Sequence, residues 1–226
     1  MQFSQVEQAA RNNAIWCDTL CRAHGAPGEF HEAAWLNRQP VPRFYPNLVT
    51  IANRQSVATK LVYVQDLIAS NLPRPWAVKD SFCELSLDTL TFQLLFEANW
   101  LWRASSEPIP KEHVHNQGLD WVRLQNESEL VKWEMAWSGG LAENSAREQT
   151  RLFPSMLLAD PDIAFIAAYQ GGKIVAGAIA NRTENVVGLS NVFALSEDHA
   201  LAWIGCISTA NKIFPGLSLA ACRRGP

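Results

Sequence analysis

The chain has 226 residues, 48% of them hydrophobic and 18% charged, and a formal net charge of -3. That length admits one large domain or two small ones, and the composition is that of a chain able to bury a core, not of a disordered one. A charge so close to balance gives no electrostatic basis for a nucleic acid or an anionic membrane as partner.

No apolar run approaches the roughly 20 residues that cross a bilayer. The opening MQFSQVEQAARNN lacks the basic start and apolar stretch of a signal peptide. The five cysteines are an odd number and are expected to be reduced, as in a cytoplasmic protein.

Ser4 with Glu7 predicts a capping box opening a helix to about Ala23, which stops near Gly25 and Pro27. Residues 24–46 are rich in Gly and Pro and read as a long irregular segment. Residues 48–51 predict a strand. Residues 57–70 predict a second helix, with Val57, Leu61, Val64 and Ile68 on one face. Residues 76–82 read as a strand, and the aromatic-rich stretch 91–103 as one or two more. Residues 105–117, polar with two prolines, are the expected linker between segments 1–104 and 118–226.

The second half reads more regularly. A strand is expected at 119–124, and then a helix capped by Asn126 with Glu129, carrying Leu130, Trp133 and Trp137 on one face and ending at Gly139 and Gly140. A short helix is expected over 146–158. Strands at 163–169 and 173–180 are joined by Gln170, Gly171 and Gly172, a hairpin signal. A third strand spans 186–194. Ser196 can cap the next helix, with Glu197 and Asp198 in its first turn, running to about Ile213; Pro215 and Gly216 then break the chain before a last strand at 217–222.

A faint internal echo runs through this order. Asn47, a strand, a helix, Leu72 and Pro73 and a further strand recur as Asn191, a strand, a helix, Phe214 and Pro215 and a final strand. The layout is that of a repeated strand–helix–strand unit; chance is the alternative.

Strand, capped helix, second helix, Gly-turn hairpin, strand, helix, strand over residues 119–222 is the order of a GNAT (acyl-CoA N-acyltransferase) domain. The stretch FIAAYQGGKIVAGAIANRTENVVGLSNVFA, from Phe165 to Ala194, resembles the second to fourth strands of that family. The whole chain is also similar to bacterial GNAT-like proteins with two related half-domains, through WAVKDSF from Trp76 and LFEANW from Leu95. The resemblance implies an α/β (α+β) fold: a mixed, mostly antiparallel sheet flanked by helices, with a partial N-terminal copy completing the sheet. It further implies a V opened by a bulge in the fourth strand. Acetyl-CoA or another acyl-CoA would lay its pantetheine arm along Leu189, Ser190, Asn191, Val192 and Phe193, and an acyl group would pass to a small amine. The family's phosphate-binding glycines are absent: the chain reads Ala194-Leu-Ser-Glu-Asp-His-Ala200, placing Glu197 and Asp198 where a diphosphate would sit at a helix start. That departure keeps open a non-catalytic relative that binds a small apolar or acyl ligand. An association module, with Trp100–Trp102 pairing two chains as a homodimer, is the third reading.

Asp80 and Glu97 lie in apolar stretches, where burial would raise a carboxyl pKa and make a general base; a salt bridge with Lys79 or Arg103 is the structural alternative. Cys17, Cys21 and His24 have a spacing that metal ions use, but Val6, Ala10 and Ala14 continue the same stripe. A fourth ligand has no clear source beyond His31, so a buried helix face and no metal are expected. His113 and His115 fall in the linker. His199 lies near the expected acyl-CoA and is read as a surface helix residue.

Overall fold

A computed structural model describes residues 3–53, 55–109, 118–139, 151–195 and 199–224. The chain divides into two compact units, Met1–Trp100 with Arg223–Pro226, and Leu101–Cys222.

The first unit opens with α1 (Gln5–Ala23), whose capping box forms as expected: Ser4 accepts from Glu7 N and Glu7 from Ser4 N. Ala14, Cys17 and Cys21 on its inner face pack with Trp35, Val49 and Ile51, so the thiols are core groups. The segment expected to be irregular holds two short strands, β1 (Glu29–Phe30) and β2 (Ala34–Leu36). They join β3 (Leu48–Thr50) and β4 (Val78–Lys79) in a sheet of order β1-β2-β3-β4. Polar side chains make this possible in a Gly/Pro-rich stretch. Asn47 Nδ2 donates to Asn37 O at 3.0 Å and Gln39 O at 2.9 Å, and Asp18 accepts from Gly28 N and from the Trp35 indole, so loop groups taken out of water are satisfied. An added Cβ on Gly28 would lie 2.5 Å from Trp35.

Helix α2 (Val57–Ala69) starts at Ser56, but its inner stripe is Lys60, Val64 and Leu67, while Val57 and Ile68 are exposed. The expected apolar face is therefore rotated. Lys60 occupies an inside position because Glu84 pairs with its ammonium and the Phe82 ring lies 4.9 Å from it. Strand β4 is shorter than expected because Asp80 ends it, drawing the next backbone into a turn. Of the stretch 91–103 only β5 (Ala98–Arg103) is a strand; a 3-10 turn at Asp88–Leu90 and a left-handed Thr91 precede it.

The second unit follows the sequence reading closely. Its strands are β6 (Asp120–Arg123), β7 (Ile163–Gln170), β8 (Lys173–Arg182), β9 (Val186–Ala194) and β10 (Ser218–Arg224), the last two residues of β10 belonging to the first unit. With β5 at its margin the sheet has the order β5-β10-β9-β8-β7-β6, so one strand from the end of the N-terminal segment completes it. Strands β6 to β9 pair antiparallel, and β9 and β10 parallel. Gly171 and Gly172 both take positive φ, 55° and 77°, in the β7–β8 turn.

Helix α3 (Glu127–Trp137) is capped by Asn126, but Glu129 accepts from Gln125 N instead of closing the box on the cap residue. The helix expected at 146–158 is a 3-10 turn, Ser155–Ala159, among the described residues. Helix α4 (His199–Ile213) packs on one face of the sheet, where Ala164, Ile166, Ala178, Val187 and Leu189 meet Cys206, Ala210 and Phe214. Alternate residues such as Phe165 point to the other face, against Trp133 of α3. Gly205 lets α4 approach: an added Cβ would lie 2.0 Å from the Trp121 ring.

Candidate functional site

The site is built on β9. Its ladder with β8 runs from Arg182↔Val187 to Ile179↔Ser190, then resumes at Gly177↔Phe193 with one extra residue on β9. Asn191 and Val192 thus face the single residue Ala178, a β-bulge, and Asn191 takes the left-handed φ of 52° that the bulge requires. Asparagine is among the residues that tolerate this conformation best after glycine. The parallel ladder with β10 pairs Val186–Leu189 with Ser218–Ala221, and its last rung is Leu189↔Ala221. Beyond it, among the described residues, β9 is paired to β8 alone. From Ser190 to Ala194 every residue of β9 is half-buried, whereas Val186–Leu189 are fully buried. The bulge and the end of the parallel ladder thus fall within two residues of each other on β9.

The α3 side of this strand is aromatic. The Trp133 ring meets Phe193 edge-on at 5.3 Å, Phe165 at 5.4 Å and Phe153 at 5.6 Å. Its indole donates to Ile166 O at 2.8 Å, which fixes the ring against β7. Gly177 makes the space: an added Cβ would lie 2.5 Å from both Ile166 O and Trp133 Nε1 and 2.8 Å from Phe193. Glu134 accepts from Leu152 N at 2.9 Å and draws the Phe153 segment onto the helix. At the bulge, the Ser190 hydroxyl is buried and, among the described residues, has no hydrogen-bond partner, a polar group still able to bond. Titration is perturbed at the edge: burial, with the Glu129 charge second, pushes the Tyr169 phenol up.

The expected cofactor-binding residues Leu189, Ser190, Asn191, Val192 and Phe193 are therefore together on the bulged strand. Val192 turns to the α4 side and Phe193 to the α3 side. The two carboxylates named as candidate bases lie in the first unit. Asp80 is fully occupied there: Oδ1 accepts from Thr50 Oγ1 and Phe82 N, and Oδ2 from Glu84 N at 2.6 Å and Leu85 N at 2.7 Å. Its work is to wind the turn after β4. Glu97 is exposed, not in the buried setting expected of it. Ser196, Glu197 and Asp198 lie outside the described residues, as do His113 and His115; His199 is exposed at the start of α4. Cys17 and Cys21 have thiols pushed up to about 12 by burial, which keeps them protonated and inert.

Gly177 and the aromatic partners of Trp133 were not singled out in the sequence. A glycine inside an otherwise apolar strand signals close approach by another group, and Gly177 carried that signal.

No protein-family model matches the chain, and no curated protein does. Among solved structures, the GCN5-related N-acetyltransferase from Kribbella flavida is similar with a TM-score of 0.53 at 12% identity, over 95% of this chain and 85% of its own. A functionally unknown conserved protein from Staphylococcus epidermidis gives a TM-score of 0.45 at 11% identity, over 89% of this chain and 84% of its own. The fold is GNAT-like. At such identity the likeness is one of architecture and carries no substrate.

Proposed function

We propose that the second unit binds an acyl thioester along β9, as acetyltransferase-like proteins of this architecture do, and presents the acyl group to a small amine. The observation that supports this most directly is the bulge at Asn191 with the end of the β9–β10 ladder at Leu189. A fully paired strand has no backbone groups to offer. Beyond Leu189, among the described residues, β9 has a strand neighbour on one side only, so the outward N–H and C=O groups of Ser190 and Val192–Ala194 suit an extended ligand that carries amides, the chemistry of a pantetheine arm. The Ser190 hydroxyl, without a partner among the described residues, and the Trp133–Phe193 wall add a polar contact and an apolar surface for such a chain. Transfer would consist of attack by a neutral amine on the thioester carbonyl, cleavage of the C–S bond, and departure of the thiol with the proton that the amine gives up.

A second reading, binding of an acyl chain without turnover, is favoured by one sequence observation. Ala194–Ala200 has no glycine, and it places Glu197 and Asp198 where a diphosphate would need positive potential. Both readings share the arm and differ over the diphosphate. Titration with acetyl-CoA and with S-acetylpantetheine, which lacks the diphosphate, is the test. Thermal stabilisation by both at millimolar concentration is expected, since a ligand that binds only the folded state adds about 2.7 kcal/mol at a hundred times its Kd. The diphosphate is expected to add less than about tenfold in affinity. Stabilisation by neither compound contradicts acyl-thioester binding; release of free thiol on adding amines decides for turnover.

A further inference from the structure

Strand β5 is the outermost strand of the six-stranded sheet, and among the described residues it has a neighbour on one side only. It is six residues long, without the proline or lysine that commonly blunts an exposed edge. We infer that this edge pairs with the β5 edge of a second copy of the chain, antiparallel about a two-fold axis centred on Trp100.

The sequence of the edge is self-complementary in that register and in no neighbouring one. A two-fold axis perpendicular to a sheet returns each strand face to itself, so the axis must pass through a residue and not between two. Centred on Trp100, it sets Glu97 opposite Arg103 of the second copy, and Arg103 opposite the second copy's Glu97. Moving the axis to Asn99 or Leu101 loses both pairs. Glu97 is exposed and Arg103 half-buried, and among the described residues neither makes an ion pair within its own chain. The same register sets Ala98 opposite Trp102 on the other face, small against large. Asn99 and Leu101, both exposed, fall opposite each other. The Trp100 side chain is held by its own protomer, through its indole to Ser81 O at 2.9 Å and under the Lys79 ammonium at 4.6 Å. What the strand leaves to a partner is backbone and charge. Leu94 and Leu95, 79% and 77% exposed just before the strand, flank that edge with apolar surface.

The test is a charge swap read by sedimentation velocity at ~10–100 μM full-length protein, a range in which a specific interface of standard size is populated. The wild type is expected to sediment as a dimer. Glu97→Arg alone and Arg103→Glu alone each place like charges opposite one another twice per dimer and are expected to weaken association by roughly tenfold or more. The double variant reverses both pairs and is expected to return to within about threefold of wild type. Glu97 is exposed, so its replacement leaves the fold intact, and circular dichroism checks this. A monomeric wild type, a dimer indifferent to the single swaps, or a double variant that stays as weak as the singles each overturns the proposal.

Discussion

Gly177 lies where two faces of the candidate site meet, and its lack of a side chain is a packing requirement. Gly177→Ala brings a Cβ within 2.5 Å of Ile166 O, a backbone atom that cannot swing aside. We expect a loss of about 1–3 kcal/mol in chemical denaturation, the usual cost of overpacking, with a change in Trp133 fluorescence as the indole leaves Ile166 O. Lys60 makes the second argument at this scale. It is fully buried while its partner Glu84 retains 30% exposure, so removing either partner has unequal effects. Glu84→Ala strands an ammonium in the core and should cost roughly 3 kcal/mol. Lys60→Met leaves a carboxylate that water can reach and should cost less than about 1.5 kcal/mol, as volume-conserving changes do. Equal losses in urea unfolding would show that the pair is not what holds Lys60 inside. This residue also marks where the sequence misled. Hydrophobic spacing put Val57, Leu61, Val64 and Ile68 inside, because a lysine is read as a surface residue until a distant Glu84 is known to meet it. Asp80 is the converse case: a carboxylate in an apolar stretch reads as a base, and only the fold reveals the four donors around it.

Among the elements, β9 carries the most consequence. Its bounds at 186–194 were legible in the sequence, because Val186 to Ala194 is a mostly apolar run between a polar turn and a predicted helix start. Its bulge came from the family likeness, since one extra residue leaves no mark on hydrophobic pattern. Asn191 supplies the left-handed backbone there. Asn191→Gly keeps that conformation available, so ligand affinity should stay within about threefold of wild type. Asn191→Val, β-branched and disfavoured at positive φ by about 1–2 kcal/mol, should flatten or shift the bulge and weaken acyl-thioester binding about tenfold or more, read by calorimetry. Equal binding by both variants would place the ligand away from this strand. The first unit was less legible. Its strands are two or three residues long, too short for a period-two pattern to emerge, and the loops around β2 are tied by the side-chain amides of Asn37 and Asn47, which no hydrophobic pattern reveals.

At the scale of the whole molecule, each unit contains a strand, a helix and a parallel strand: β3–α2–β4 in the first, β9–α4–β10 in the second. That is the strand–helix–strand layout of the faint sequence echo. Layout survives sequence change because burial pattern, caps and turn glycines set it; a phosphate loop depends on particular glycines and does not survive their loss. In this molecule β9 is bulged at Asn191 and its ladder with β10 ends at Leu189, while the sequence from Ala194 to Ala200 has no glycine. The most direct measurement is hydrogen–deuterium exchange with and without millimolar S-acetylpantetheine, which reports backbone groups one by one. Binding along the open side of β9 predicts new protection concentrated at residues 190–194, with β2 and β3 unchanged. An exchange pattern in which 190–194 are unaffected by the ligand would contradict it.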